Sequence, residues 1–360
     1  MIRRNYKKTL IFFIILSLLF FAAPVMAQSL ADISFGIRPT TAQEGQEETF
    51  SYFSYRVSPG SVFDDAALVL NDGDTPVTLK LYAADGITSQ NGGTDFTEYG
   101  QPSEGMSSGS SSWITLSANE IFLNPGEEQV VPFQVNIPAG VNSGQYVAGL
   151  VVEAAPEMIN IDSNSVDDAS QLVVETIRRV GVAIVMDIPG EQFAGLEIKN
   201  ISLYQQSEEG TTFAVEVQNT GNIFLQAKGF FIVTDRNAER VITTTPLEFD
   251  TVLPGDTVTF YVPRAARFAD GKYLLSIVLE YEGQRATLEG IGMNIKNGQP
   301  QLEGQITENI FTPEEIEVFF EKAEKDSSFT WLIIAGISFF LALALGGFVY
   351  WAGGKKKETV

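Results

Sequence analysis

Short apolar runs rich in Val, Leu, Tyr and Phe recur along the chain, and turn residues separate them. In the first half they lie at residues 49–57, 67–70, 77–84, 130–137, 144–155 and 171–189; in the second half they lie at 196–204, 211–219, 228–235, 257–262, 272–281 and 285–295. Turn pairs such as Pro59-Gly60, Pro125-Gly126 and Ser143-Gly144 punctuate them. This pattern predicts antiparallel β-strands.

Two longer apolar runs lie at the ends of the chain. Leu10 to Ala23 follows four basic residues and precedes small residues up to Ala27, which predicts a secretory signal peptide over residues 1–27. Residues 329–352 carry no charge and would form a helix about 36 Å long, enough to cross a bilayer. Three lysines follow, at 355–357, so we expect residues 353–360 in the cytoplasm and the rest outside. The alternatives are an uncleaved leader and a buried core helix.

The predicted fold class is all-β: two tandem immunoglobulin-like β-sandwiches, a short juxtamembrane helix and one C-terminal transmembrane helix. We place the first sandwich at 28–190, with its boundary at Pro189-Gly190, and the second at 191–297. A linker, 298–328, contains Thr312-Pro313-Glu314-Glu315, which has the cap, proline and glutamate of a helix start. Its amphipathic pattern allows the helix to rest on the second sandwich or near the bilayer.

The two predicted domains repeat the same turn residues in the same order. The first has Asn71-Asp72-Gly73, then Pro125-Gly126, then Gly144-Gln145-Tyr146. The second has Asn219-Thr220-Gly221, then Pro254-Gly255, then Gly271-Lys272-Tyr273. Each Gly-x-Tyr is typical of a tyrosine corner, in which the hydroxyl bonds back to nearby backbone. The repeat predicts one architecture used twice, and chance recurrence of turn dipeptides is the alternative.

A long Gly- and Ser-rich segment, residues 85–112, interrupts the first domain, and a shorter acidic one lies at 155–169. A loop as long as the first is usually functional or disordered. Because residues 90–110 have little apolar content, we expect their deletion to leave the first sandwich folded.

Composition excludes several kinds of chemistry. The chain has no Cys and no His, which rules out disulfides, thiolate sites and Ser-His-Asp triads. Its formal net charge is −22; the leader has four basic residues and the tail three basic and one acidic, so residues 28–328 carry −28. Such a surface repels nucleic acid, although an acidic surface also simply keeps an exported domain soluble.

A few residues are candidates for binding. Trp113 follows the Ser run and could stack on a sugar, although a core position is the favoured interpretation; Tyr99 lies within the Gly- and Ser-rich segment. Asp162, Asp167 and Asp168 form a carboxylate cluster that lacks the glycine and distal Glu of a calcium loop. No catalytic, cofactor-binding or metal-ligating set is recognisable, so no cofactor is expected.

Several motifs occur in a characteristic order: the leader, Ser58-Pro59-Gly60, the Leu70-Asn71 turn, Asn91-Gly92 and Tyr99, Leu123 to Glu127, a second β domain, one membrane helix and a lysine tail. This layout resembles the WxL-interacting protein family of bacterial cell surfaces. It implies a peptidoglycan-binding domain, a host-binding domain and no catalytic residues. Asn219 to Asn222 in the second domain is also similar to generic adhesion modules.

The sequence thus predicts a non-enzymatic, single-pass scaffold in the cell membrane, with an extracellular ectodomain that binds peptidoglycan or another surface protein. The alternatives are a sandwich that accepts a strand from a partner, or a carboxylate-dependent surface enzyme or accessory subunit.

Overall fold

The computed structural model describes residues 34–40, 51–161, 172–206, 210–236, 241–264, 268–307 and 310–321. The predicted signal peptide, membrane helix and cytoplasmic tail lie outside these residues. Within the described ranges, no helix has both the length and the apolar character needed to span a membrane. The described part is almost entirely β-strand, which confirms the all-β prediction.

The first sandwich packs two sheets face to face. One has the strand order β1-β3-β8-β6; the other has the order β2-β12-β9-β4-β5, with β7 paired to the opposite end of β4. A short hairpin, β10-β11, extends β9 and β12. The strands are β1 (Phe35–Pro39), β2 (Tyr52–Arg56), β3 (Val62–Asn71), β4 (Val77–Thr88), β5 (Thr94–Phe96), β6 (Ile114–Leu116), β7 (Glu120–Leu123), β8 (Glu128–Asn136), β9 (Gly144–Ala154), β10 (Glu157–Ile161), β11 (Leu172–Thr176) and β12 (Arg179–Ile188).

The second sandwich pairs a three-stranded sheet, β13-β14-β17, with a five-stranded sheet, β16-β15-β18-β19-β20. Its strands are β13 (Leu196–Gln206), β14 (Thr211–Asn219), β15 (Leu225–Asp235), β16 (Val241–Val252), β17 (Thr257–Arg264), β18 (Gly271–Tyr281), β19 (Gln284–Lys296) and β20 (Gln299–Gln305). Apolar residues alternate inward along these strands, as in β14, where Phe213, Val215 and Val217 are fully buried.

The predicted tyrosine corners are confirmed. The Tyr146 hydroxyl donates to the Asn142 carbonyl over 3.1 Å, and the Tyr273 hydroxyl donates to the Ala269 carbonyl over 2.9 Å. In both sandwiches the tyrosine lies near the start of a strand, β9 or β18, and bonds to the carbonyl four residues earlier in the chain. This shared geometry supports the prediction of one architecture used twice.

The two sandwiches contact each other closely at the tip of the β4–β5 hairpin, residues 89–93, which we call the hairpin tip. Gly93 N donates to Thr251 O at 2.8 Å, and Tyr261 N donates to Asn91 Oδ1 at 2.8 Å. The hairpin tip therefore lies along β16 and β17, an open side of the second sandwich where each sheet ends.

Side chains on either side of the hairpin tip add to this contact. Asn222 Nδ2 donates to the carbonyls of Ser143 and Glu191, and Phe224 N donates to Gln145 Oε1. Thr88 N and Oγ1 both donate to Asp256 Oδ2, at 2.7 and 2.8 Å. These bonds join groups far apart in sequence, so the sandwiches are fixed against each other.

The segment after β19 is part of the second sandwich rather than a free linker. β20 extends its larger sheet. Helix α1, residues 313–321, begins with the predicted capping box, in which Thr312 N bonds Glu315 Oε2 and Glu315 N bonds Thr312 Oγ1. Ile316 on this helix packs against Phe230, Ile232 and Val278, so α1 rests on the outer face of that sheet.

Candidate functional site

The Gly- and Ser-rich segment contacts the β2-β12-β9-β4-β5 sheet in two ways. Phe96 crosses the outer face of the sheet, whereas residues 103–113 are held by the buried carboxylate of Asp85, with Met106 and Trp113 packed against the core. Asp85 accepts hydrogen bonds from Ser103 Oγ, Gly109 N and Ser111 N, each at 2.8 Å. Burial alone would raise the pKa of Asp85, but the bonds from Ser111, Gly109 and Ser103 lower it below its ordinary value. The carboxylate is therefore held in its charged form as the anchor of the loop.

Two serines attach the same segment to β9. Ser110 Oγ donates to Val147 O at 2.8 Å, and Val147 N donates to Ser107 Oγ at 3.0 Å; both serines are fully buried. Trp113 follows them, partly buried in the core, with its ring 5.1 Å from that of Tyr146. The structure thus places Trp113 inside the sandwich rather than on its surface.

Phe96 lies across this outer face in a trough made by two glycines. A Cβ at Gly149 or at Gly181 would overlap the Phe96 ring, so only glycine leaves room for it. The ring also packs with Tyr82, Ala84 and Val151. The Phe96 ring covers the middle of the outer face, and the chain continues from it to Tyr99.

Tyr99 is the most accessible aromatic of this region, with 59% of its surface exposed. The ammonium of Lys80 lies 3.3 Å from the centroid of its ring, and the Tyr82 ring packs edge-on at 5.1 Å. A cation this close to a ring face is attracted by the π electrons. Tyr99 is therefore held at the surface without being buried.

Tyr82 links this pair to charged neighbours. Its hydroxyl donates to Glu153 Oε2 at 2.8 Å, and Arg179, which also contacts this hydroxyl, lies 3.7 Å from Asp95. Burial, and then the bond to Glu153, raise the pKa of Tyr82 to about 12. The hydroxyl therefore stays protonated and acts as a fixed donor.

Phe122 extends the surface toward the sheet edge. It pairs with Thr78 across β4 and β7, and strand alternation puts both on the outer face with Lys80. It is 57% exposed. We call the surface formed by Lys80, Tyr82, Tyr99, Phe122 and Arg179 the Lys80 face. It offers two exposed rings, a cation and fixed hydrogen-bonding groups, which are the contacts of a binding surface.

Of the predicted candidates, only Tyr99 lies on this face. Asp162, Asp167 and Asp168 lie outside the described residues, and the described residues contain no cluster of acidic side chains able to hold a metal ion. Sequence reasoning missed Lys80, Tyr82 and Phe122. The alternation Thr78, Lys80, Tyr82, with a basic and an aromatic residue on the solvent face of one strand, was the available signal.

Part of the first sandwich matches a known family of domains. Residues 35–154, from β1 to the end of β9, match the family model described as "WxL Interacting Protein, peptidoglycan binding domain". The matched residues all lie in the first sandwich, which is therefore similar to this domain. Lys80, Tyr82, Tyr99 and Phe122 lie inside the matched range, whereas Arg179 lies beyond it. The family is one of bacterial cell-surface binding domains, which supports exposure at the cell surface.

Other comparisons found only distant likeness. No curated protein matches the chain. Among solved structures, the CsuC–CsuE chaperone–tip subunit complex of Acinetobacter baumannii is similar at 12% identity over 71% of this chain and 97% of that one, with a TM-score of 0.32. The Salmonella enterica SafA pilin–SafB chaperone complex is similar at 9% identity over 72% and 98%, with a TM-score of 0.30. Similarities this weak say nothing about function.

Proposed function

We propose that the chain is a non-enzymatic, membrane-anchored surface protein whose first sandwich binds peptidoglycan through the Lys80 face. The observation that carries this is the position of Tyr99, an exposed ring capped by Lys80, inside the range that matches a peptidoglycan-binding domain. Exposed aromatic rings stack on the apolar faces of sugars, while cations and hydroxyls bind polar groups.

The remaining parts of the proposal concern placement. The apolar run 329–352 anchors the chain, residues 28–190 and 191–305 form two immunoglobulin-like domains, and the ectodomain faces the wall. The contacts between the sandwiches give the ectodomain a fixed shape, as a scaffold needs. A second surface protein is a further partner that the second sandwich is free to bind.

The strand-accepting alternative finds little support at the edges of the second sandwich. β13 has two bulges, and β16, β17 and β20 contain Pro246, Pro263 and Pro300. Bulges and prolines at edges prevent a foreign strand from pairing. We therefore favour recognition by side chains.

The proposal is tested with the full chain in detergent and insoluble peptidoglycan, by sedimentation at low and high salt. We expect Tyr99→Ala and Phe122→Ala each to weaken binding about threefold to tenfold, the usual value of one aromatic contact. Because stacking is not screened by salt, wild-type binding should persist at high ionic strength. Val130→Ala, which alters an exposed residue of the other sheet, is the control.

Two results would contradict the proposal. One is wild-type protein that stays in the supernatant, or Tyr99 and Phe122 variants that sediment like the wild type. The other is release of soluble fragments from the peptidoglycan, which would show that the protein is an enzyme.

A further inference from the structure

A pair of tyrosines lies on the outer face of the three-stranded sheet of the second sandwich. Tyr204 is on β13 and Tyr261 on β17, and β14 separates these strands. Their ring centroids are nevertheless only 4.3 Å apart, with 57° between the ring planes. Strands two positions apart are about 9.6 Å from each other, so the two side chains lean together over β14.

The local backbone makes this arrangement possible. Ala214 of β14, the cross-strand partner of Tyr261, is small enough for the rings to meet above it. The register between β13 and β14 shifts between Leu203 and Gln205, which places Tyr204 in a β-bulge. Bulges redirect side chains and are common beside functional sites. Tyr204 remains 60% exposed, so its ring contacts its partner and still faces solvent.

The first sandwich supports the pair from the other side. Asn91 Oδ1 accepts from Tyr261 N at 2.8 Å, and Asn91 N lies 3.4 Å from Thr259 O. The backbone of Tyr261 is therefore fixed by the hairpin tip. The pair lies at the junction of the two sandwiches and depends on both.

The surroundings indicate the kind of ligand. Ser202, Thr212 and Thr259 share this outer face by strand alternation, and their side chains are short and uncharged. Two acidic residues also lie on it: Glu216 is the cross-strand partner of Thr259, and Glu197, farther along β13, is paired with Lys199. Two splayed rings among hydroxyl groups on a low-relief sheet suit a neutral pyranose ring. A proline-rich peptide would need a groove between aromatic walls, which a sheet face does not form.

We propose that Tyr204 and Tyr261 form a second, glycan-binding surface that stacks neutral sugar rings. It goes beyond the proposed function, because it lies on the other sandwich, outside the range that matches the peptidoglycan-binding domain. The two surfaces are well separated, since the eight residues from Lys80 to Thr88 alone span about 26 Å along β4. One polymer that reached both would be held more tightly than by either.

The test uses the full chain in detergent and a neutral probe, the tetramer of N-acetylglucosamine, in calorimetric titrations. We expect saturable binding by the wild type, a threefold to tenfold loss in Tyr204→Ala, and near wild-type binding in Tyr204→Phe, which keeps the ring. Tyr99→Ala should keep the part of this binding that depends on Tyr204. Because Tyr204 is exposed, we expect its variants to melt like the wild type.

The outcomes separate this inference from the proposed function. Absence of tetramer binding, equal binding by Tyr204→Ala, or binding of a proline-rich peptide that depends on Tyr204 would each overturn the second surface. Sedimentation with peptidoglycan that depends on Tyr99 would stand in all three cases. Loss of the Tyr99 effect, with the Tyr204 effect retained, would overturn the role of the Lys80 face alone.

Discussion

The two sandwiches contain the same buried asparagine, held by the same hydrogen bonds. In the first, Asn71 Nδ2 donates to Thr75 O and Leu123 O, and Asn71 Oδ1 accepts from Gly73 N. In the second, Asn219 Nδ2 donates to Ile223 O and Val252 O, and Asn219 Oδ1 accepts from Gly221 N. Each side chain joins two turns, which explains why the Asn-x-Gly and Pro-Gly motifs recur together.

The difference lies in the carboxylate that follows each Pro-Gly pair. In the first sandwich, Glu127 is exposed and folds back, so that its Oε2 accepts from Asn124 N at 2.8 Å. In the second, the equivalent Asp256 is 8% exposed and accepts from Thr88 of the first sandwich. Thr88 Oγ1 in turn accepts from Leu253 N, the equivalent of Asn124 N. The same turn is thus complete by itself in one sandwich and completed by the neighbour in the other.

The sheet edges beside these turns differ in the same way, since one is covered by its own sandwich and the other by the neighbouring sandwich. In the first sandwich the chain between β6 and β7 crosses the edge, and Ser117 N donates to Pro132 O. In the second the hairpin tip occupies the matching edge along β16 and β17. We infer that the second sandwich depends on the first for its closure, whereas the first does not need the second.

Removing either buried asparagine should produce the largest change. Asn71→Ala and Asn219→Ala each leave buried backbone groups without partners, which costs about 1–3 kcal/mol per group, so we expect a loss of roughly 3 kcal/mol or more. Urea denaturation followed by domain-specific proteolysis measures it. Asn124→Ala, at an exposed turn position, is the control.

The two asparagine substitutions should affect the sandwiches unequally. Asn71→Ala should weaken both sandwiches, because loss of the first removes the hairpin tip from the second. Asn219→Ala should leave the first protected. Equal and independent effects of the two substitutions would refute the dependence that we infer.

A smaller effect is expected from a methyl group on the hairpin tip. Gly92 has a φ of 92°, and a Cβ there would lie 2.8 Å from Asp250 O across the junction. Gly100 has a φ of 73° and open space around it. Both alanine variants therefore carry similar backbone strain of about 1 kcal/mol or more, but only Gly92→Ala should displace the tip.

Hydrogen exchange of the amides of Asn91 and Gly93 measures this displacement, because both amides bond across the junction. We expect faster exchange in Gly92→Ala and wild-type exchange in Gly100→Ala. Faster exchange in both variants would mean that strain within the loop, rather than the junction, sets the protection.

Much of this architecture could be predicted from local patterns. The runs that became β9, β14 and β18 are rich in buried apolar residues, and the capping box and tyrosine corners depend on neighbours within a few positions. β16 was missed because Thr243 to Pro246 interrupt its apolar pattern, as an edge strand tolerates. β20 was assigned to the linker because its sequence, QPQLEGQ, has no apolar run and Leu302 as its single large aliphatic residue.

The Gly- and Ser-rich segment shows what local patterns cannot reveal. Its low apolar content predicted that the first sandwich folds without residues 90–110, yet Ser103, Ser107 and Gly109 bond to the sandwich and Asn91 bonds across the junction. We now expect that deletion to destabilise the protein. The Lys80 face was hidden for a related reason, since the register of the sheet brings Lys80 and Arg179 together from distant positions.

The smallest effect is a difference in pH dependence between the two buried aspartates. The pKa of Asp85 is lowered in the folded protein. Asp85 therefore contributes to the free energy of unfolding above its unfolded-state pKa of about 3.9, and this contribution is lost as pH falls through the folded-state pKa. The pKa of Asp256 is raised by burial, so its contribution to the free energy of unfolding is fully present below its unfolded-state pKa and is lost as pH rises through the folded-state pKa.

The contact between the two sandwiches should therefore become more stable on acidification from neutral pH toward pH 4, before the anchor at Asp85 weakens. Exchange of the Asn91 and Gly93 amides, corrected for the intrinsic effect of pH, should slow over this range. Asp256→Asn should abolish the change, and Glu127→Gln, at the exposed equivalent, should preserve it. Slowing that survives in Asp256→Asn would assign the effect to another group.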